Sequence, residues 1–120
     1  MYALNFYSPL FIEQLRKGRK TATIRLGDKR RKYDRGQLVW VTVGHRHGPR
    51  QRLFTAIIDE VTVKRVGDLT QREIERDNPE FRLVEDITQV LTHIYSREIT
   101  EHDQVTVVHF SEVIEFPPLD

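Results

Sequence analysis

Between Gly18 and Gly27 the chain alternates apolar and polar residues. Ala22, Ile24 and Leu26 fall on one face; Thr21, Thr23 and Arg25 fall on the other. A helix would repeat its faces every ~3.6 residues, so this spacing predicts a half-buried strand whose second face carries hydroxyls and a guanidinium. Four more β-rich runs follow the same logic. Tyr2 to Phe6 reads as a short opening strand and LVWVTV, Leu38 to Val43, as a central one. Leu53 to Val63 is a long β-rich stretch with a possible bend at Asp59-Glu60, and VTVVHF, Val105 to Phe110, is the closing strand. The tail from Glu112 to Asp120 is an edge strand or loose, because Pro117-Pro118 cannot continue a ladder.

Helix signals fill the gaps. Ser8 can cap a helix with Pro9 in its first turn, running to about Lys17 and ended by Gly18. Thr70 with Glu73 forms a capping box that opens a short polar helix ending near Asn78-Pro79. Leu83, Ile87, Val90, Leu91 and Ile94 recur at helical spacing and predict an amphipathic helix over Leu83 to Tyr95. About five or six short, mostly antiparallel strands with two to three flanking helices give an α+β chain, and closure into a small barrel removes the exposed edges. The 120 residues show no repeat or linker and read as one domain, 1–120.

The chain has no cysteine, which excludes disulfide frameworks, thiolate zinc sites and a cysteine nucleophile and fits a reducing, cytoplasmic compartment. No apolar run approaches the ~20 residues of a membrane span, and the start, MYALNFYSPLF, has no signal-peptide pattern. The net charge of +1 conceals a division: Met1 to Arg65 carries 15 Lys/Arg against 5 Asp/Glu, whereas Val66 to Asp120 carries 4 against 13. A basic half attracts phosphates; alternatively, the halves interleave and their charges pair across the fold.

The segment Gly18-Arg19-Lys20-Thr21-Ala22-Thr23-Ile24-Arg25 resembles the GxKTxTxR-like motif of ASCH-domain proteins, a branch of the PUA-like superfamily. Tyr33-Asp34-Arg35-Gly36-Gln37 before a strand and the closing VTVVHF strand fit the same resemblance, which extends over nearly the whole chain. It implies a PUA-like β-barrel with a cleft beside the motif strand and a partner that is RNA or a modified nucleoside. One bacterial branch comprises N4-acetylcytidine amidohydrolases, which release cytidine and acetate. The resemblance implies Lys20 as proton acceptor, Thr23 as nucleophile and a distant acid as proton donor. The family's glutamate falls near Asp77, a shorter side chain, with Glu73 and Glu75 close by.

A threonine hydroxyl needs a base, and a lysine kept neutral by burial and nearby positive charge can serve. On one continuous strand Lys20 and Thr23 would point to opposite faces; they converge only if Lys20 lies in the turn before it. Otherwise Lys20 is a solvated turn lysine and the threonines are ordinary strand residues. Arg25 is a candidate for holding a phosphate or base edge, or a surface arginine paired with Asp28 or Asp59. Arg19 and Thr21 complete the motif's candidate ligand-binding set. Lys29, Arg30, Arg31 and Lys32 in one loop and Arg46, Arg50 and Arg52 in another are candidates for RNA-backbone contact, or simply solvated loops. Tyr33 is the candidate stacking surface, and Trp40 is expected in the core. His45 and His47 lack a third ligand at suitable spacing, so neither a metal nor another cofactor is predicted.

Overall fold

The computed structural model describes residues 1–45 and 47–114. Its elements are β1 (Ala3–Phe6), α1 (Phe11–Arg16), β2 (Ala22–Leu26), β3 (Leu38–Gly44), β4 (Arg50–Arg65), α2 (Gln71–Asp77), α3 (Val84–Tyr95) and β5 (Gln104–Glu112), with a short 3-10 turn at Val66–Asp68. The five strands form one sheet in the order β1-β3-β4-β5-β2. Only β1 and β3 run parallel.

The sheet curls so that a side chain on one edge strand reaches the other. Arg25 Nη2 on β2 donates to the Asn5 carbonyl on β1 at 3.0 Å. The curl is eased where β4 slips register between Ile58 and Glu60, at the predicted bend; the extra residue of a bulge increases local twist. Inside the curl lie Leu4, Phe6, Val39, Val41, Ile58, Val108 and Phe110. A second apolar cluster forms on the outer side of β2 and β5, where Ala22, Ile24, Val105 and Val107 meet Ile74 of α2 and Ile87 and Leu91 of α3. The alternation of β5 therefore serves two cores: Val105 and Val107 face the helices, Val108 and Phe110 the barrel.

That arrangement corrects the half-buried expectation for β2. Its polar face is covered in part as well, because it turns inward across the curl: Thr23 is 4% exposed, and Thr21 and Arg25 are half-buried. Two aromatic expectations also change. Tyr33 is buried in the barrel cluster, so its ring offers no stacking face; the loop from Lys29 folds back, with the Tyr33 N–H bonded to the Lys29 carbonyl at 3.2 Å. Trp40 is 38% exposed, since it alternates with the inward-facing Val39 and Val41. Arg52 lies over its ring at 4.6 Å. An apolar run does not say which of its faces a second layer will cover.

The helices fall close to expectation. The first is shorter: Ser8 Oγ accepts from the Leu10 N–H at 3.2 Å in a preceding turn, and the helix begins at Phe11. The capping box opens α2, with the Glu73 N–H donating to Thr70 Oγ1 at 3.2 Å and the Thr70 N–H to Glu73 Oε1 at 2.9 Å. At α3, Asp86 Oδ2 accepts the N–H groups of Arg82 and Leu83 at 3.0 and 2.9 Å.

Candidate functional site

Lys20 lies in the turn that precedes β2. Gly18 adopts φ +69°, a conformation that suits glycine, and the N–H groups of Arg19 and Lys20 both return to the Gln14 carbonyl at the end of α1. The turn removes the opposite-face problem. Lys20 and Thr23 line the same cavity of about 490 Å3, together with Arg25 and Asp77. This volume is in the range of small-molecule sites.

Lys20 is 3% exposed, and its ammonium has three acceptors. These are the Ala22 carbonyl at 3.2 Å, Asp77 Oδ1 at 3.1 Å and the Asp77 carbonyl in a short contact. The rings of Phe6 and Phe11 each lie 5.0 Å from Nζ. Asp77 is the last residue of α2, so the ammonium also meets the negative end of that helix. Burial is the main influence on Lys20 and lowers its pKa. The Asp77 charge and hydrogen bond oppose it, Arg25 adds to it, and the net result is below the ordinary lysine value.

Asp77 is held on its other side by the Ile24 N–H, which donates to Oδ1 at 3.0 Å. Thr23 Oγ1 accepts from Arg25 Nε at 2.9 Å. Arg25 also packs over the Phe6 ring at 5.2 Å. The opposite wall is apolar and comes largely from Phe81 and from Val90 and Ile94 of α3.

Of the three acids named from sequence, Asp77 alone lines this cavity. Glu73 is committed to its helix cap and to Lys64, whose Nζ donates at 2.9 Å. Burial raises its pKa, but the Thr70 N–H and the Lys64 charge outweigh that and hold it below the usual carboxylate value. Glu75 accepts from Gln71 at 3.1 Å and lies 3.6 Å from Arg82.

Arg19 and Thr21 line a separate cavity of about 450 Å3, on which Lys20 also borders. Lys29, Arg30, Arg31 and Lys32 are exposed and away from the Thr23 cavity. Arg30 is paired with Asp28, whose carboxyl is lowered to about 2 chiefly by that guanidinium. Arg50 and Arg52 are exposed on β4 and do not line it either; Arg46 lies outside the described residues. Among the described residues, the basic loops therefore do not form the walls of the cavity.

Three features of the site are absent from the candidate set drawn from sequence. Asn5 closes the barrel through its carbonyl, while its side chain accepts from Thr42 at 2.8 Å and donates to the Gly44 carbonyl at 2.9 Å. Phe6 and Phe11 flank the lysine. The α3 wall had one visible signal: Ile94 extends the apolar stripe, and it stands 49% exposed. Among the described residues no group of three metal-ligating side chains is found, and no helix is long and apolar enough to cross a membrane.

Three solved structures share this architecture. Hypothetical protein PH0355 matches with a TM-score of 0.67 and 18% identity, over 93% of this chain and 98% of its own. The DUF984 protein EF3133 from Enterococcus faecalis V583 matches with a TM-score of 0.71 and 14% identity, over 94% of this chain and 80% of its own. An ASCH domain from Lactobacillus crispatus JV V101 matches with a TM-score of 0.65 and 12% identity, over 92% and 79%. No family model and no curated protein matches the sequence. Identities this low speak for architecture rather than activity: the chain has the fold of an ASCH domain, a curled half-barrel bridged by Arg25 to β1.

Proposed function

We propose that this chain is an ASCH-family amidohydrolase that removes the acetyl group from N4-acetylcytidine, acting on an RNA-derived nucleoside in the cytoplasm. One observation carries the reading: a buried lysine with a lowered pKa shares a cavity with a buried threonine hydroxyl and a carboxylate. Perturbed lysines in enclosed cavities are candidates for base catalysis.

Lys20 and Asp77 hold the same number of protons as ammonium and carboxylate or as amine and carboxylic acid. Burial disfavours the charged ammonium. In the neutral pair, Lys20 takes the Thr23 proton while Oγ1 attacks the acetyl carbonyl. Asp77 gives its proton to the exocyclic nitrogen as the C–N bond breaks. Cytidine leaves, an acetyl ester remains on Thr23, and the pair is now charged. Water then attacks the ester carbon and gives one proton to Asp77. Lys20 returns a proton to Thr23 Oγ1, and acetic acid leaves and ionises. The apolar α3 wall suits the flat face of a base.

The test is to incubate the protein with N4-acetylcytidine and follow cytidine by chromatography. Release that disappears in Lys20→Ala and Thr23→Ala supports the reading; unchanged substrate with stoichiometric protein overturns it. A second reading, an RNA-binding module without catalysis, is favoured by Lys29, Arg31 and Lys32, which are exposed and in no ion pair among the described residues. It requires affinity for single-stranded RNA that falls steeply with salt.

A further inference from the structure

The Thr23 hydroxyl is buried and accepts one hydrogen bond, from Arg25 Nε. Among the described residues no hydrogen bond has this hydroxyl as its donor, so its proton has no acceptor among them, while one of its lone pairs is occupied by a cation. The guanidinium is anchored. Its Nη2 is bonded to the Asn5 carbonyl at 3.0 Å, and its Cζ lies over the Phe6 ring, 5.2 Å from the centroid. Arg25 is therefore not a mobile arm waiting for a phosphate.

We propose that Arg25 is a catalytic residue of this site, holding Thr23 Oγ1 so that its proton is directed to Lys20 and stabilising the alkoxide character that develops on that oxygen during attack. The inference rests on the amidohydrolase reading and adds a role for Arg25 that differs from substrate binding. A charge-assisted hydrogen bond strengthens as its acceptor becomes anionic. The bond to a neutral hydroxyl is therefore weaker than the bond to the transition state, and that difference accelerates the step. The same positive charge disfavours protonation of Lys20, which keeps the amine free to act as a base in the resting site, while the bond to Oγ1 lowers the cost of removing the Thr23 proton. Asn5 is the positioning residue behind this arrangement. It fixes the far side of the guanidinium through β1, while β2 sets the two-residue spacing that brings Nε to Oγ1.

The experiment compares steady-state kinetics on N4-acetylcytidine for wild type, Arg25→Ala, Arg25→Gln and Arg25→Lys. Removing a preorganised donor of this kind lowers kcat on the order of 10^2- to 10^3-fold. Arg25→Ala is expected to do so with little change in KM, and the acidic limb of its kcat–pH profile is expected to move to higher pH. Arg25→Gln keeps an N–H donor without the charge and serves if Arg25→Ala fails to fold; it is expected to show the same pH shift. Arg25→Lys keeps the charge and is expected to leave the limb near its wild-type position. A rise in KM at constant kcat would identify Arg25 as a substrate-binding group and overturn the proposal. So would a loss of rate that tracks loss of folded protein with an unmoved pH limb. An inactive wild type overturns the reaction and this role together; an active wild type with an unaffected Arg25→Gln overturns this role alone.

Discussion

Asp77 Oδ1 lies 3.1 Å from Lys20 Nζ, and the same oxygen takes the Ile24 N–H at 3.0 Å. One carboxylate thereby joins the turn before β2, the body of β2 and the end of α2. It also gives the buried lysine its only ion-pair partner among the described residues.

Cutting that link has a structural cost that can be separated from its chemical one. Removing one partner of a buried pair typically costs about 3 kcal/mol or more, because the other charge remains uncompensated. Asp77 is less buried than Lys20, which limits the penalty in Lys20→Met. Asp77→Asn leaves the ammonium facing two carbonyls and is expected to destabilise the fold more. Urea denaturation of the two variants measures the order, and equal midpoints would contradict it.

Lys20 also predicts a pH dependence of stability. Its folded-state pKa lies below the ordinary 10.5, chiefly through burial. Below the folded value both states hold the proton and the full penalty of a buried ammonium is present. As pH rises from that value toward 10.5, the unfolded chain binds more protons than the native one, so stability rises. Chemical denaturation of wild type and Lys20→Met across the alkaline range reads this; the wild type should gain stability relative to the variant as pH increases.

The cap of α2 should be felt at the site. Thr70→Ala removes the acceptor of the Glu73 N–H and is expected to cost about 1 kcal/mol. Because α2 ends at Asp77, the same change should lower kcat on N4-acetylcytidine without abolishing it. A destabilised variant with unaltered kcat would show that the helix end is held by β2 alone.

The apolar wall gives a variant that tests binding. Ile94 borders the cavity and is half exposed, so Ile94→Glu should fold normally. Losing an apolar contact and placing a carboxylate beside the base should raise KM on the order of tenfold or more, in line with the usual cost of spoiling an apolar pocket. Thermal melting and kinetics together separate this from unfolding.

Burial of Tyr33 predicts the opposite pattern. Tyr33→Ala should destabilise by about 3 kcal/mol, as for other large aromatic truncations in a core. It should leave the salt dependence of any RNA binding unchanged. A stable variant with weakened RNA binding would restore the exposed stacking role.

Local pattern was enough for the elements. The alternation of β2, the capping box of α2 and the apolar stripe of α3 are each satisfied within a few residues of chain, and the structure keeps them close to the predicted bounds. The motif residues Lys20, Thr23 and Arg25 were also legible as a group. Their mutual geometry was not, because it depends on a turn at Gly18 that places Lys20 outside the strand.

What the sequence determined, then, was the set of strands and helices and the residue types available to a site, since both follow from short-range periodicity and capping. Only the tertiary structure decided which faces are covered. The curl of the sheet turned the polar face of β2 inward, buried Tyr33 and left Trp40 partly outside. It also chose Asp77 over Glu73 and Glu75 as the lysine's partner. That choice is long-range: it is set by where α2 ends against β2, and no spacing along the chain encodes the distance between two segments that meet only after the barrel closes.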